Sequence, residues 1–232
     1  TNIIQERDEI ISFISDICGI NNRTEININS TIPVGRGLGS SAALSIAIAR
    51  AKKLPNVREI ANKCEKFIHG NPSGIDVNQV LSDTPLLFSK KDGAIPLDFN
   101  LGSYLLIIDT GVIGITKETL KHIKQNFENY KSYIDELGEI TEKVIEPLKK
   151  KAIEIVGAYM YKAHDLLQKL GVSHESNDDV VNICKNNGAL GAKLTGGGAG
   201  GCCIALSKTK ENAEKIQNEL AKKGYKSWIV TV

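Results

Sequence analysis

The segment that most constrains this chain is a glycine-rich turn that leads directly into an apolar helix. It reads Pro-Val-Gly-Arg-Gly-Leu-Gly-Ser-Ser-Ala-Ala over residues 33–43. The preceding residues, 25–32, alternate polar and apolar side chains, which is the pattern of a half-buried strand. From Ser40 to Ala51 apolar residues cover nearly all sides, which indicates a buried helix. The sequence therefore predicts a strand, a glycine turn and a buried helix in succession.

This turn has the composition of a polyphosphate-binding loop. Its glycines allow backbone N–H groups to turn toward one point, and the helix start adds free donors and a positive dipole end. The hydroxyls of Ser40 and Ser41 can contact phosphate or magnesium. The Walker and Rossmann patterns both fail, because no Gly-Lys-Ser or Gly-Lys-Thr closes the turn and Ser40 stands where the third glycine belongs. A tight turn with a serine N-cap is the alternative.

A second glycine run covers residues 196–201. Gly196, Gly198 and Gly201 formally match the dinucleotide-binding pattern, but the next residues form a predicted strand rather than a helix, so that match is rejected. Five glycines between two strands exceed what a plain hairpin needs. We expect a backbone that approaches a ligand closely, with a merely flexible loop as the alternative.

Two carboxylates, Glu65 and Asp76, flank a forced turn between the glycine runs. If they face one cleft, one could bind magnesium and the other could act as a base. Each also has a purely structural interpretation. Glu65 could lie on a solvated helix face, and Ser73 with Asp76 has the spacing of a capping box. His69, four residues after Glu65, is more typical of a local helix partner than of a catalyst.

The composition limits the classes of function. The 29 basic and 27 acidic residues give a formal charge of +2, far from the basic excess of a dedicated nucleic-acid binder. No apolar run approaches the roughly 18 residues of a membrane-spanning helix. The five cysteines show no paired spacing, which favours a reducing compartment. We therefore expect a soluble, cytoplasmic protein that binds neither nucleic acid nor membrane.

The length of 232 residues suits two lobes, and the boundary between them near residue 100 is soft because no low-complexity linker marks it. The first lobe has an amphipathic helix over 3–17 and a helix over 57–69 besides the segments above. The second lobe begins with a buried strand within 101–109 and two long helices over 117–137 and 140–170. It continues with a helix near 177–187, strands near 190–194 and 202–206, a helix over 210–223 and a strand over 225–231. The predicted class is α+β.

Together these segments resemble the GHMP kinase family. Residues 33–43 are similar to its phosphate-binding motif Pro-x-x-x-Gly-Leu-Gly-Ser-Ser-Ala, and residues 193–202 are similar to its C-terminal glycine motif. Within the family, His-Gly-Asn-Pro-Ser-Gly-Ile-Asp at 69–76 resembles the mevalonate kinase branch. The resemblance implies a two-lobed α+β GHMP kinase fold. An N-terminal ATP-binding lobe would cover residues 1–100, and a ferredoxin-like C-terminal lobe would cover residues 101–232.

The resemblance also implies roles for individual residues. Asp76 would take the proton from the attacking hydroxyl, and Ser41 and Glu65 would hold Mg²⁺. Thr116, whose alternative role is to cap the helix that follows, would lie near the substrate with the glycines Gly196, Gly197 and Gly198. The residues implied to contact ATP are Ser30, Gly35, Arg36, Gly37, Leu38, Gly39, Ser40 and Ser41.

The implied reaction is the ATP- and magnesium-dependent phosphorylation of mevalonate to 5-phosphomevalonate, on the route to isoprenoids. A homodimer is one oligomeric state that the resemblance leaves open. Another GHMP small-molecule kinase, such as a phosphomevalonate or mevalonate-3-kinase, is the nearest alternative. A catalytically inactive ligand sensor is another, although a sensor has no need of both Glu65 and Asp76.

The sequence departs from the family pattern at its start, in its second glycine run and in the short spacing between Ala51 and Glu65. Family members open with a Pro-x-Lys segment whose lysine lies beside the catalytic acid, so we expect strands and such a lysine to precede Thr1 in the natural protein. Gly197 stands where mevalonate kinases usually have alanine, and Ala199 stands where they usually have glycine.

Overall fold

The computed structural model describes residues 2–21, 23–114 and 116–232, and within these ranges it describes the side chains of all but residues 2–7 and 116–120. The chain forms two compact units. The first contains Thr1–Val34 and Leu38–Asp98, and the second contains Gly35–Gly37 and Phe99–Val232. The chain thus changes unit at Asp98 and also within the glycine turn.

The first unit is mainly helical. Its helices are α1 (Asn2–Ile17), α2 (Ser40–Ala51), α3 (Val57–His69) and α4 (Ile75–Val80). Strands β1 (Leu86–Ser89) and β2 (Gly93–Pro96) form a small antiparallel hairpin that the sequence pattern did not predict. The helices predicted over 3–17, 40–51 and 57–69 are confirmed. One apolar cluster joins α1, α2 and α3. Its buried side chains are Ile14, Cys18, Ile48, Ala49, Ile60 and Cys64.

The strand predicted over 25–32 is wrong. Residues 24–30 have no regular secondary structure, and Ile28, Ile32 and Val34 are between 36% and 55% exposed. A strand needs a neighbouring strand to take its backbone hydrogen bonds. Within the described ranges no strand pairs with this segment, so its alternating pattern does not produce a sheet.

The second unit is built on a four-stranded antiparallel sheet with the order β4-β5-β3-β6. The strands are β3 (Tyr104–Asp109), β4 (Gly191–Thr195), β5 (Cys202–Ser207) and β6 (Lys226–Thr231). The helices are α5 (Thr116–Gln125), α6 (Phe127–Lys143), α7 (Ile145–Lys149), α8 (Ile153–Lys169), α9 (Glu175–Asn186) and α10 (Lys210–Lys222). This strand order is that of the ferredoxin-like topology.

The two long helices predicted between 117 and 170 are wrong in their extent, because the structure divides this region into four helices. Pro147 accounts for one break: it has no N–H to donate to the carbonyl of Lys143, so α6 cannot continue through it. Lys151 adopts a positive φ of 55°, which separates α7 from α8. Asn126, between α5 and α6, donates its side-chain amide to the carbonyl of His122 at 2.9 Å and closes the end of α5.

The main core of the second unit lies where the sheet packs against α9 and α10. It consists of the buried apolar residues Leu106, Ile108, Val180, Ala192, Leu194, Cys203, Ala205, Ile216 and Leu220 together with their neighbours. This packing holds the ends of β3, β4 and β5 in fixed register. No helix among the described residues combines the length and apolar character needed to cross a membrane.

Candidate active site

The N-terminus of α2 begins directly after the glycine turn. Gly39 is the N-cap residue, with a left-handed φ of 66°, and it has no side chain with which to cap the helix. The alternative of a serine N-cap is therefore wrong, since Ser40 is already the first helical residue. The first N–H groups of a helix have no partner within it. With no acidic residue in the first turn, this end of α2 is a donor-rich, positive end suited to an anion.

Asp76 lies in the first turn of α4 and faces the start of α2. A Cβ added to Gly39 would lie 3.6 Å from the Oδ1 atom of Asp76, so this carboxyl group lies against the glycine turn. The capping-box alternative is wrong, because Gly74 rather than Ser73 is the N-cap of α4, and the hydroxyl of Ser73 accepts instead from the N–H of Ile75 at 3.3 Å. Burial raises the pKa of Asp76, and the nearby His69 opposes this effect to a smaller extent.

Glu65 is buried within α3, with only 3% of its side chain exposed. The solvated-face alternative is therefore wrong. Its Oε2 atom lies 3.6 Å from Nε2 of His69, which confirms His69 as a local helix partner. Its Oε1 atom is buried and has no hydrogen-bond partner among the described residues. A buried carboxylate oxygen without a partner is costly unless a cation or a donor satisfies it.

The three helices that carry Ser41, Glu65 and Asp76 share one apolar cluster. This cluster contains Ala42 and Ile46 of α2, Ala61 of α3 and Val77 of α4. Ala42 follows Ser41, Ala61 lies one turn before Glu65, and Val77 follows Asp76. The packing that fixes these helices therefore also fixes the backbone of each candidate residue.

The structure supports a magnesium ion only as a partner of bound phosphate. Within the described residues there is no group of three or more His, Cys, Asp or Glu side chains that could hold a metal ion. Magnesium in phosphate-transferring sites is commonly held by one or two protein ligands together with phosphate oxygens and water. The unpartnered Oε1 of Glu65 fits such a ligand set.

A cavity of about 290 Å³ adjoins the start of α2 within the first unit. Ser30, Ser40 and Ser41 line it together with apolar side chains such as Ile10, Ile28 and Leu44. Ser30 also accepts a 3.2 Å hydrogen bond from the backbone N–H of Ile32. The candidate nucleotide residues on either side of the glycine turn thus share one cavity.

The side chain of Thr116 lies outside the described residues, and its predicted role stays a prediction.

The first half of the glycine turn packs within the second unit. The guanidinium of Arg36 lies 3.0 Å from Asp109 and donates to the carbonyl oxygen of Gly111. The resemblance had placed Arg36 among the ATP contacts, but the structure directs its guanidinium to these protein groups. Contacts between ATP and the backbone of Gly35–Gly37 stay a prediction, and so does the contact predicted for Leu38.

The C-terminal glycine run forms the loop between β4 and β5, and it is fixed rather than loose. Gly200 exchanges two 3.0 Å hydrogen bonds with the side chain of the fully buried Asn177. The N–H of Ala199 donates to the carbonyl of Val172 at 2.8 Å. A Cβ on Gly198 would collide with that same carbonyl oxygen. The alternative of a flexible loop is therefore wrong, and several of the glycines serve close packing against the protein's own backbone.

The three glycines predicted to contact the substrate differ in exposure. Gly198 is buried under this packing, whereas Gly196 and Gly197 are exposed and available to a ligand. Asn177, which holds the loop in place, was missed by the sequence reasoning. Its only signal was a position in the first turn of a helix, where Asn usually serves as a cap.

Two family models match this sequence. The GHMP kinases N terminal domain matches residues 4–82, and the GHMP kinases C terminal model matches residues 144–226. Together they cover well over half of the chain, in the order found here. The chain belongs to the GHMP kinase family. The predicted GHMP kinase fold is confirmed.

This GHMP kinase is similar in sequence to proteins named mevalonate kinase. It is 34% identical over 204 residues to the one from Thermococcus sibiricus, a match that covers 81% of this chain and 61% of that protein. It is 33% identical over 206 residues to the one from Aeropyrum pernix, covering 80% of this chain and 61% of that protein. The chain thus spans about three fifths of the length of these relatives.

Solved structures of mevalonate kinases share the fold. The L. major mevalonate kinase in complex with R-mevalonate matches with a TM-score of 0.80 and 25% identity, covering all of this chain and 79% of that one. The Methanococcus jannaschii mevalonate kinase matches with a TM-score of 0.76 and 27% identity, covering 96% of this chain and 74% of that one. The predicted resemblance to the mevalonate kinase branch is confirmed at this level.

Proposed function

We propose that this GHMP kinase transfers the γ-phosphoryl group of ATP to the primary hydroxyl of mevalonate, giving 5-phosphomevalonate and ADP. The observation that carries the proposal is the position of Asp76, whose carboxyl group lies against the glycine turn at the donor-rich start of α2. A base and an anion site are thereby adjacent within one unit. The similarity to mevalonate kinases supports mevalonate as the acceptor.

Asp76 is suited to the role of general base. Burial raises its pKa, and a carboxylate with a raised pKa is a better proton acceptor at neutral pH. As the hydroxyl oxygen of mevalonate bonds to the γ-phosphorus, its proton passes to Asp76 and the bond from phosphorus to the bridging oxygen of ADP breaks. Phosphoryl transfer asks a protein chiefly for positioning and charge stabilisation.

The start of α2 supplies charge stabilisation. The N–H groups of Ser40 and Ser41, which have no partner within the helix, favour the negative charge of the phosphates together with the positive end of the helix dipole. Ser41 and Glu65 are the residues that would hold Mg²⁺, for which the unpartnered Oε1 of Glu65 is the structural support. When bound, the ion neutralises phosphate charge and orients the reacting groups.

The test is a substrate panel with ATP and Mg²⁺. ADP formation and the position of the new phosphate, read by ³¹P NMR, are compared for mevalonate, phosphomevalonate, homoserine and galactose. We expect ADP release that depends on mevalonate and a product phosphorylated at the primary hydroxyl. Preference for phosphomevalonate, or phosphate at the tertiary hydroxyl, would assign a related kinase instead. ATP binding without turnover of any acceptor would assign a sensor.

We also propose that the protein works in the cytoplasm. All five cysteines are free and buried in the structure. Unpaired thiols are typical of a reducing compartment. Cell fractionation, with detection of the protein beside a cytoplasmic marker, tests this proposal, and recovery in a secreted or periplasmic fraction would contradict it.

A further inference from the structure

The guanidinium of Arg36 is held by two groups at the end of β3. Its Nε lies 3.0 Å from Oδ1 of Asp109, and its Nη2 donates to the carbonyl oxygen of Gly111 at 3.0 Å. The side chains of Arg36 and Asp109 are only 17% and 14% exposed. Water therefore screens this pair less than it screens an ordinary surface ion pair, whose net contribution is small. Because the guanidinium is planar, its hydrogen bonds fix the orientation of the Arg36 side chain and not only its distance from Asp109.

Asp109 is a rigid anchor. It is the last residue of β3 and pairs with Cys202 of β5 on one side and Lys226 of β6 on the other. The same Oδ1 atom accepts a 2.9 Å hydrogen bond from the N–H of Gly111. Next to it, Thr110 donates its hydroxyl to the carbonyl of Gly201 at 2.6 Å. The carboxylate that receives Arg36 is thus held by a strand paired on both sides.

The backbone around Arg36 packs on the same unit. A Cβ on Gly37 would lie 3.4 Å from the Cα of Gly196, and a Cβ on Gly201 would lie 3.0 Å from the carbonyl oxygen of Arg36. From Leu38 onward the chain belongs to the other unit. Gly35–Gly37 is therefore a short segment of the glycine turn with an anchor separate from that of α2.

We propose that Arg36 is a positioning residue for ATP, and that its ion pair with Asp109 holds Gly35–Gly37 in the conformation that binds phosphate. The proposal rests on the proposed function in one respect: the glycine turn is taken to bind ATP phosphates. A segment that is already ordered loses less conformational entropy when a ligand binds. Without the anchor, ATP has to order the segment itself, so the affinity falls while the chemistry at Asp76 is unchanged.

Direct contact between Arg36 and phosphate is the competing explanation. The Nη1 atom of Arg36 is buried and has no hydrogen-bond partner among the described residues, so the two N–H groups of this nitrogen are still available. The two explanations differ in what they require of Asp109. Positioning needs the Asp109 carboxylate, whereas direct contact requires only the arginine.

The test compares Arg36→Met, Arg36→Lys, Asp109→Asn and the double variant Arg36→Met with Asp109→Asn. Asn can still accept from Gly111, so Asp109→Asn removes the charge with little change in shape. Arg36→Met removes the hydrogen bond to Asp109, and Asp109→Asn removes the charge that strengthens it, so we expect both variants to weaken ATP binding by about tenfold in calorimetry. The double variant should be no worse than either one, because both remove the same interaction. Arg36→Lys should recover part of the loss.

Kinetics separates positioning from general damage. In the two single variants the KM for ATP should rise, while kcat and the KM for mevalonate stay close to wild type. The control pair is Lys131 and Asp135, an exposed ion pair on α6, whose removal should change none of these values. If Arg36→Met weakens ATP binding and Asp109→Asn does not, Arg36 contacts phosphate itself and the positioning role is overturned. Unchanged ATP affinity in both variants also overturns it.

Hydrogen exchange without nucleotide tests the proposal independently of the reaction. In Arg36→Met and Asp109→Asn, amides of residues 34–38 should exchange faster than in wild type, while those of α2 and α10 keep their rates. This result would stand even if mevalonate proved not to be the acceptor. Unaltered exchange over 34–38 would show that the ion pair does not order the segment.

Discussion

The Nε2 atom of His69 lies 3.6 Å from the Oε2 atom of Glu65, one turn earlier on α3. The His69 side chain is 47% exposed and that of Glu65 is 3% exposed, so the imidazole lies at the solvent side of a buried carboxylate. The other oxygen of Glu65 has no partner among the described residues. One oxygen of the carboxylate thus lies beside an imidazole, and the other is available to a cation.

Glu65→Gln should therefore weaken magnesium binding. Because the amide keeps the shape but loses the charge, we expect the magnesium concentration for half-maximal activity to rise roughly tenfold or more, with activity recovering as magnesium is added. Thermal stability should not fall, because the amide keeps the shape and removes a charge that is costly to bury. Activity measured over a magnesium titration checks this expectation.

The matched control for Glu65→Gln is Glu59→Gln. Glu59 lies on the same helix, pairs with Lys63 at 2.8 Å and has a side chain that is 60% exposed. Its substitution should leave the magnesium dependence unchanged. An equal change in both variants, or no recovery of Glu65→Gln at any magnesium concentration, would argue against Glu65 as a metal ligand.

Asp76→Asn should stabilise the fold near neutral pH. Since burial raises the pKa of Asp76, its ionisation costs more in the folded chain than in the unfolded chain. The contribution of Asp76 to stability is therefore greatest below its unfolded pKa of about 4 and is lost as the pH rises through the folded pKa. Asp76→Asn should melt above wild type at neutral pH, and the difference should shrink in acid.

Calorimetric melting temperatures across the acid-to-neutral range check this prediction. Asp83→Asn, at an exposed position of the same unit, serves as the control and should show no comparable trend. A melting difference for Asp76→Asn that is constant with pH, or a lower melting temperature at neutral pH, would be inconsistent with a buried, destabilising carboxylate.

Gly39→Ala should weaken ATP binding, whereas Gly93→Ala, with a similar cost in folding stability, should not. Gly39 and Gly93 both have left-handed φ values, 66° and 77°, so Ala at either position should cost about 1 kcal/mol. A Cβ at Gly93 meets nothing within 4 Å, whereas a Cβ at Gly39 stands beside Asp76. We expect roughly tenfold weaker ATP binding in Gly39→Ala alone, which corresponds to 1.4 kcal/mol. Calorimetric titration of ATP into both variants decides, and equal affinities would contradict the placement of phosphate at this turn.

Two of the three helices that carry the candidate site could be predicted from the sequence. The bounds of α2 and α3 follow from local features: an apolar run that begins after a glycine turn, and a helix that ends before Gly70 and Pro72. The phosphate-binding composition of the glycine turn and the resemblance to the family are both carried by residues that are adjacent in the chain. Local patterns of this kind require no knowledge of the neighbouring elements.

Other features depend on contacts between distant residues and could not be predicted. The burial of Glu65 and the placement of Asp76 against Gly39 arise from how α2, α3 and α4 pack. The alternation over 25–32 predicted a strand, but pairing with a partner decides whether a strand forms. Nothing near Arg36 in the sequence indicates Asp109 as its partner.

The rate of mevalonate-dependent ADP formation in wild type and Asp76→Asn, at saturating ATP and magnesium, shows whether Asp76 is the general base. We predict turnover by wild type, and a loss of roughly 10²- to 10⁴-fold in the folded Asp76→Asn variant, because the proton acceptor is removed while the shape is kept. A near wild-type rate for Asp76→Asn, or ADP formation by wild type that is the same with and without mevalonate, would contradict this prediction.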